Sequence, residues 1–65
     1  MKQHEQRVVD EFNELSKRLD KLVEFIGGEL FKTLSIDEQF LLSKQRDEMS
    51  MYAETLECRI SLFVK

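Results

Sequence analysis

The sequence predicts an all-α protein: a helical hairpin of two long antiparallel amphipathic helices that assembles into a homo-oligomer. Three observations predict it. There is no proline, and the only two glycines stand together as Gly27-Gly28, a composition that favours long helices with a single break. On both sides of that break apolar residues recur at alternating steps of three and four, the spacing of one helical face. Finally, 65 residues with one cysteine, Cys58, bury too little surface to be robust alone and form no internal disulfide, which leaves self-association as the route to stability.

The first helix is expected over about residues 3 to 26. Val8, Phe12, Leu15, Leu19, Leu22 and Ile26 form its stripe, Val9, Val23 and Phe25 widen it, and Asp10, Glu14, Lys17, Asp20, Lys21 and Glu24 hold the opposite face. The glycine pair ends it, with Gly27 expected at positive φ as a C-cap. The connection spans 27 to 35. Within it ELFKTL is long enough for one turn, and Leu30, Phe31 and Leu34 suit a plug at the end of the hairpin.

Ser35-Ile36-Asp37-Glu38 reads as a capping box, the serine accepting from the Glu38 amide while the Glu38 side chain reaches back. Asp37 and Glu38 also suit the positive end of a helix dipole. The second helix is expected over about 36 to 63, with a stripe of Leu42, Gln45, Met49, Tyr52, Leu56, Arg59 and Phe63 flanked by Leu41, Ala53, Ile60 and Leu62. Gln45 and Arg59 are polar residues in that stripe. The whole chain, 1 to 65, reads as one domain.

Composition excludes several classes. Apolar residues make up 42% of the chain and charged ones 35%, too apolar for disorder. No apolar stretch approaches the ~20 residues of a membrane span, and MKQHEQRVVDEF has no signal-peptide core, so no membrane partner and a cytoplasmic location are expected. A formal net charge of -3 argues against binding nucleic-acid polymers, which takes a basic face. A small anion needs only two or three converging cations.

Catalytic chemistry finds little to stand on. His4 is the only histidine and lies where a helix frays. Cys58 has Glu54 one turn before it and no histidine nearby, so it reads as a packing or interface thiol. One histidine and one cysteine make a zinc site improbable, and neither metal nor cofactor is expected. The carboxylate pairs Asp10/Glu14 and Glu54/Glu57 read as solvated charge, and Met49, Met51 and Tyr52 as packing. Gly27-Gly28 follows a helix rather than preceding one, so it does not aim amides at a phosphate.

The cations carry more. Lys17, Arg18 and Lys21 lie within about a turn, with Glu14 and Glu24 in reach; they read either as intrahelical ion pairs or as an anion site completed by Arg7 or a neighbouring subunit. Arg59 in a stripe position needs a buried carboxylate, a route to solvent, or a ligand. Gathered by symmetry around an axis, its copies repel one another unless an anion sits among them.

Three segments, QRVVDEFNELSKRLDKLVEFI, then F-K-T-L-S-x-D-E-Q-x-L-L-x-x-Q, then M-x-x-Y-x-E-x-L-x-x-R-I, resemble a family of small proteins of crAss-like and other tailed phages. Some members are anti-CBASS sponges that sequester cyclic oligonucleotides. The resemblance runs from about Gln6 to Phe63, and its second half is the more specific. It implies a hairpin assembled into a hexamer, with cyclic dinucleotides held between subunits and cyclic trinucleotides on threefold axes. Carried onto this sequence, the arginine of the trinucleotide site falls at Arg59 and a phosphate-contacting lysine at Lys21. The family's base-stacking aromatic has no counterpart before Val8, where His4 or the Arg7 guanidinium would have to stack instead.

The expectation is therefore a non-catalytic phage sponge for cyclic di- or trinucleotides that blocks activation of CBASS effectors, acting in the host cytoplasm. Its phosphate ligands would be Arg59, Lys21 and Arg7, with His4 as a stacking residue. A coiled-coil interaction or scaffold module with no nucleotide ligand is the alternative, since a helical stripe with dense outer charge belongs to any small adaptor.

Overall fold

The computed structural model describes residues 2–63 and holds, among them, helices α1 (Gln3–Ile26), α2 (Glu29–Lys32) and α3 (Ile36–Ser61), with no strand. The two long helices pack side by side in opposite directions, giving a rod of 47 × 14 × 14 Å. At 1.5 Å per residue α1 is about 36 Å long and α3 about 39 Å, so the rod is one hairpin seen along its length.

α1 follows its stripe. Val8 and Leu15 are buried, and Phe12, Leu19, Leu22 and Ile26 are half-buried. At its start the Lys2 amide donates to the Glu5 carboxylate over 3.0 Å, satisfying one of the amides a helix N-terminus leaves open. At its end the expectation of a left-handed Gly27 is overturned: Gly27 sits at φ -80, ψ -2, and no described residue has positive φ. The Gly27 amide bonds to Val23 O and the Gly28 amide to Phe25 O, each at 3.1 Å. Gly28 then leaves in an extended conformation, φ -94 and ψ 175, and starts α2 directly. A tightened last turn followed by an immediate new helix has no need of the left-handed residue that reverses a chain.

The connection is held by Gln39, the glutamine of the D-E-Q run, whose spacing carried no sign of this role. Its amide nitrogen donates to Phe31 O at 3.1 Å and to Leu34 O at 3.0 Å, tying the turn back onto α3. The plug is formed by half-buried Phe31 and Leu34, with Phe31 edge-on to Phe25 at 6.4 Å between ring centroids, while Leu30 points out to solvent. Ser35 caps α3 as expected, accepting from the Glu38 amide at 3.2 Å, but the reciprocal half of the expected capping box, from the Ser35 amide to the Glu38 side chain, is not formed. α3 ends at Ser61, two residues short of 63, where Leu62 and Phe63 bond back to Arg59 O and Ile60 O.

The seam of α3 differs from the expected stripe. Leu42, Met49, Leu56 and Phe63 do face α1, and Leu56 is fully buried. The positions between them, however, are Arg46, Ala53 and Ile60, all half-buried, while Gln45, Tyr52 and Arg59 are exposed. From each shared residue the helix could bury the neighbour three or four positions on. Taking the fourth places Ala53 and Ile60 against Val8, Leu15 and Leu56 and leaves Tyr52 and Arg59 in water. That choice avoids desolvating a guanidinium. Arg46, the charged residue of α3 drawn toward the seam, keeps its side chain 36% exposed and pairs with Asp47 at 3.2 Å.

Candidate functional site

One bond fixes how the candidate residues sit across the hairpin. The Tyr52 hydroxyl donates to the Glu11 carboxylate, so these two residues are level. Residues seven apart share a side of a helix. The row His4, Glu11, Arg18 on α1 therefore runs along the same flank as Arg59, Tyr52, Gln45 on α3. Counting in opposite directions from the bond, Arg59 is level with His4, and Arg18 with Gln45. All six residues are exposed.

Arg7 lies one turn from His4 and is exposed too. The hairpin thus brings Arg59, His4 and Arg7 together at the end where the two helices are not joined. Lys21 is not among them. It stands ten residues beyond Glu11 toward the connection, about 25 Å along the axis from the level of Arg59 at 1.5 Å per residue. That is more than four turns of helix. Lys21 shares its stretch with exposed Lys17 and Arg18, a second group of cations distinct from the first.

The ion pairs among the described residues are Lys32–Glu29 at 3.6 Å and Arg46–Asp47 at 3.2 Å. Arg7, Lys17, Arg18, Lys21 and Arg59 make none there. This removes the ion-pair readings of the cations and leaves Arg59 on the route to solvent that its stripe position also allowed. Arg59 has no buried carboxylate because it is not in the seam, and Lys17 and Lys21 do not pair with Glu14 or Glu24. What remains on the flank is a set of open donors. Arginine presents a planar fork suited to phosphate oxygens.

Tyr52, like Gln45 and Arg59, lies outside the seam in which its spacing had placed it. At 44% exposure its ring lies on the flank one heptad from Arg59, held by the bond to Glu11. The signal was present in the sequence: Gln45, Tyr52 and Arg59 recur every seven residues and are the polar-tipped members of the assumed stripe. Treated as a row of its own, they mark a second face rather than an irregular core.

No cavity is enclosed by the described residues, and no group of three or more His, Cys, Asp or Glu side chains converges among them. Cys58 is exposed on the far side of α3. No helix of the described residues is long and apolar enough to cross a membrane. The flank is a shallow ledge, so a ligand seated on it from one hairpin alone would keep much of its surface in water.

Comparison with known proteins agrees with the resemblance seen in the sequence. The chain is 38% identical, over 60 residues, to the "uncharacterized 7.5 kDa protein in denB-rIIB intergenic region" of Enterobacteria phage T4, a match covering 92% of this chain and 94% of that protein. No solved structure matches it. Residues 2–62, nearly the whole hairpin and all of the flank, match the Sequestin family. The chain belongs to the Sequestin family.

Proposed function

We propose that this chain is a phage anti-immune sponge, which binds cyclic di- or trinucleotide second messengers without cleaving them and so keeps CBASS effectors off. The observation that carries the reading is Arg59, exposed, outside any ion pair among the described residues, and level with His4 beside Arg7 and Tyr52. The guanidinium of Arg59 takes a phosphodiester oxygen in a charge-assisted bond, with Arg7 as a second donor. Tyr52 or His4 supplies a ring for a base to stack on. The family name, which speaks of sequestration, and the phage origin of the T4 relative support the same direction.

Because the ledge is shallow, the site is completed by a second subunit. In this reading the protein is a homo-oligomer, with a hexamer as the state the resemblance implies. Lys21, about 25 Å from Arg59 along the hairpin, then contributes to a separate phosphate contact, together with Lys17. Sequestration acts by mass action: each bound messenger is removed from the free pool, so the protein must be present in amounts comparable to it. The phosphodiester bonds stay intact, and the work is done in the host cytoplasm.

Calorimetric titration with a panel of cyclic di- and trinucleotides, against linear dinucleotides of the same bases, tests this. The expected outcome is saturable heat for at least one cyclic species, with the ligand recovered chemically unchanged after the protein is denatured. Absence of heat across the panel would sink the sponge reading. A fragmented ligand would make the protein an enzyme. The second reading, a scaffold module, is favoured by the exposed apolar residues of α3; it predicts that no nucleotide binds while the hairpin remains folded and self-associated.

A further inference from the structure

The outer face of α3, directly opposite its seam, holds one continuous row: Ile36, Phe40, Lys44, Asp47, Met51, Glu54, Cys58 and Leu62. At 100° per residue these eight fall within an arc of about 80°. All are exposed, and Ile36, Phe40, Met51 and Leu62 are between 61% and 83% exposed. A helix with a full seam on one side and large apolar side chains on the other has two faces to cover, and the hairpin covers one.

We propose that this row is the interface for a second copy of the chain, with the two α3 helices packed antiparallel about a twofold axis near residue 49. The row is complementary to itself when reversed. In that register Ile36 meets Leu62, Phe40 meets Cys58, Lys44 meets Glu54, and Asp47 meets Met51 of the opposite copy, and each pairing occurs twice. Apolar ends cover apolar ends, and the two lysines face the two glutamates across the middle. Asp47 is balanced within its own chain by Arg46 at 3.2 Å. A parallel pairing sets Lys44, Asp47 and Glu54 against their own copies, three like-charge contacts in a row. A surface that complements itself under a twofold is what an isologous contact requires, and a protein of another sequence has no reason to match that reversal. The inference deepens the self-association proposed above and leaves nucleotide binding aside, so the two fail separately.

Charge exchange across the middle of the row tests it. Lys44 and Glu54 are exposed and outside the ion pairs of the described residues, so helix content by circular dichroism should stay at the wild-type level in every variant. Lys44→Glu should weaken self-association at least tenfold by sedimentation equilibrium, and adding Glu54→Lys should restore it. In a parallel reading of the same experiment with Phe40→Cys, mild oxidation should link the introduced thiol to native Cys58 of the partner subunit. The product should have twice the 7.8 kDa chain mass, and Cys58→Ser should abolish it. Unchanged association in Lys44→Glu, or a link between the two copies of position 40, would overturn this interface even if the protein is oligomeric through another face.

Discussion

At the scale of single residues, exposure and partnership separate side chains free to meet a ligand from those that hold the fold. Arg59 is exposed and makes no ion pair among the described residues, so Arg59→Ala should leave the unfolding free energy within about 0.5 kcal/mol of wild type. The same change should weaken cyclic-nucleotide binding by about 1.5–3 kcal/mol per lost charge-assisted contact, roughly 10- to 150-fold. Thermal denaturation and calorimetry on one preparation check both halves; a drop in melting temperature with affinity intact would make Arg59 structural. Gln39 is the opposite case. Its amide satisfies Phe31 O and Leu34 O, so Gln39→Leu strands two carbonyls and should cost about 1–3 kcal/mol with little direct effect on binding. Denaturant melts check this, and an unchanged midpoint would show that water replaces the bonds at no cost.

At the scale of elements, the sequence was most legible where the local chemistry has one solution. The start of α3 follows from Ser35 with Glu38 three residues later, and the stripe of α1 follows from six apolar residues with no competing phase. α3 was ambiguous because apolar residues stand on nearly every side of it: Leu41, Tyr52 and Met51 lie outside the seam as well as Ala53 and Ile60 within it. A run of this kind fits two heptad phases, and only the packing partner decides between them. The candidate site inherited that ambiguity, since Tyr52 and Arg59 change from core to flank when the phase shifts by one residue. The long-range Tyr52–Glu11 bond, which sets the register of the flank, has no local signature at all. The end of α1 differs from expectation for another reason: a glycine after a helix suggests a left-handed cap, yet here the chain enters another helical turn. Gly27 has ordinary helical φ, and a Cβ there would meet its nearest heavy atom, Val23 O, at 3.6 Å. Gly27→Ala should therefore stabilise the hairpin by about 0.4–1 kcal/mol through the unfolded chain. A destabilisation in urea melts would show that the junction needs glycine after all.

At the scale of the whole molecule, the burial is too small for the length. Among the described residues only Val8, Leu15 and Leu56 are buried apolar side chains, while nine large ones, including Leu30, Ile36, Phe40 and Met51, are exposed. Covering a side chain of this size fully is worth about 1.5–3 kcal/mol, and these nine stay exposed on a single hairpin. A lone hairpin with three such side chains buried leaves much of its apolar surface in water, and the self-association proposed above would supply the missing burial. On that proposal stability depends on concentration, because binding to the native state but not to the unfolded one shifts the unfolding equilibrium by mass action. The melting midpoint should rise steadily as protein concentration is increased over roughly a hundredfold range, and the rise should flatten in a variant such as Lys44→Glu that weakens the contact between copies. A cyclic nucleotide bound between subunits should raise the midpoint further, most at low protein concentration, where the ligand and the neighbouring copy stabilise the same assembled state. A midpoint independent of concentration, with scattering at the mass of one 7.8 kDa chain, would mean that the hairpin is stable as it stands and that its exposed faces serve something other than its own copies.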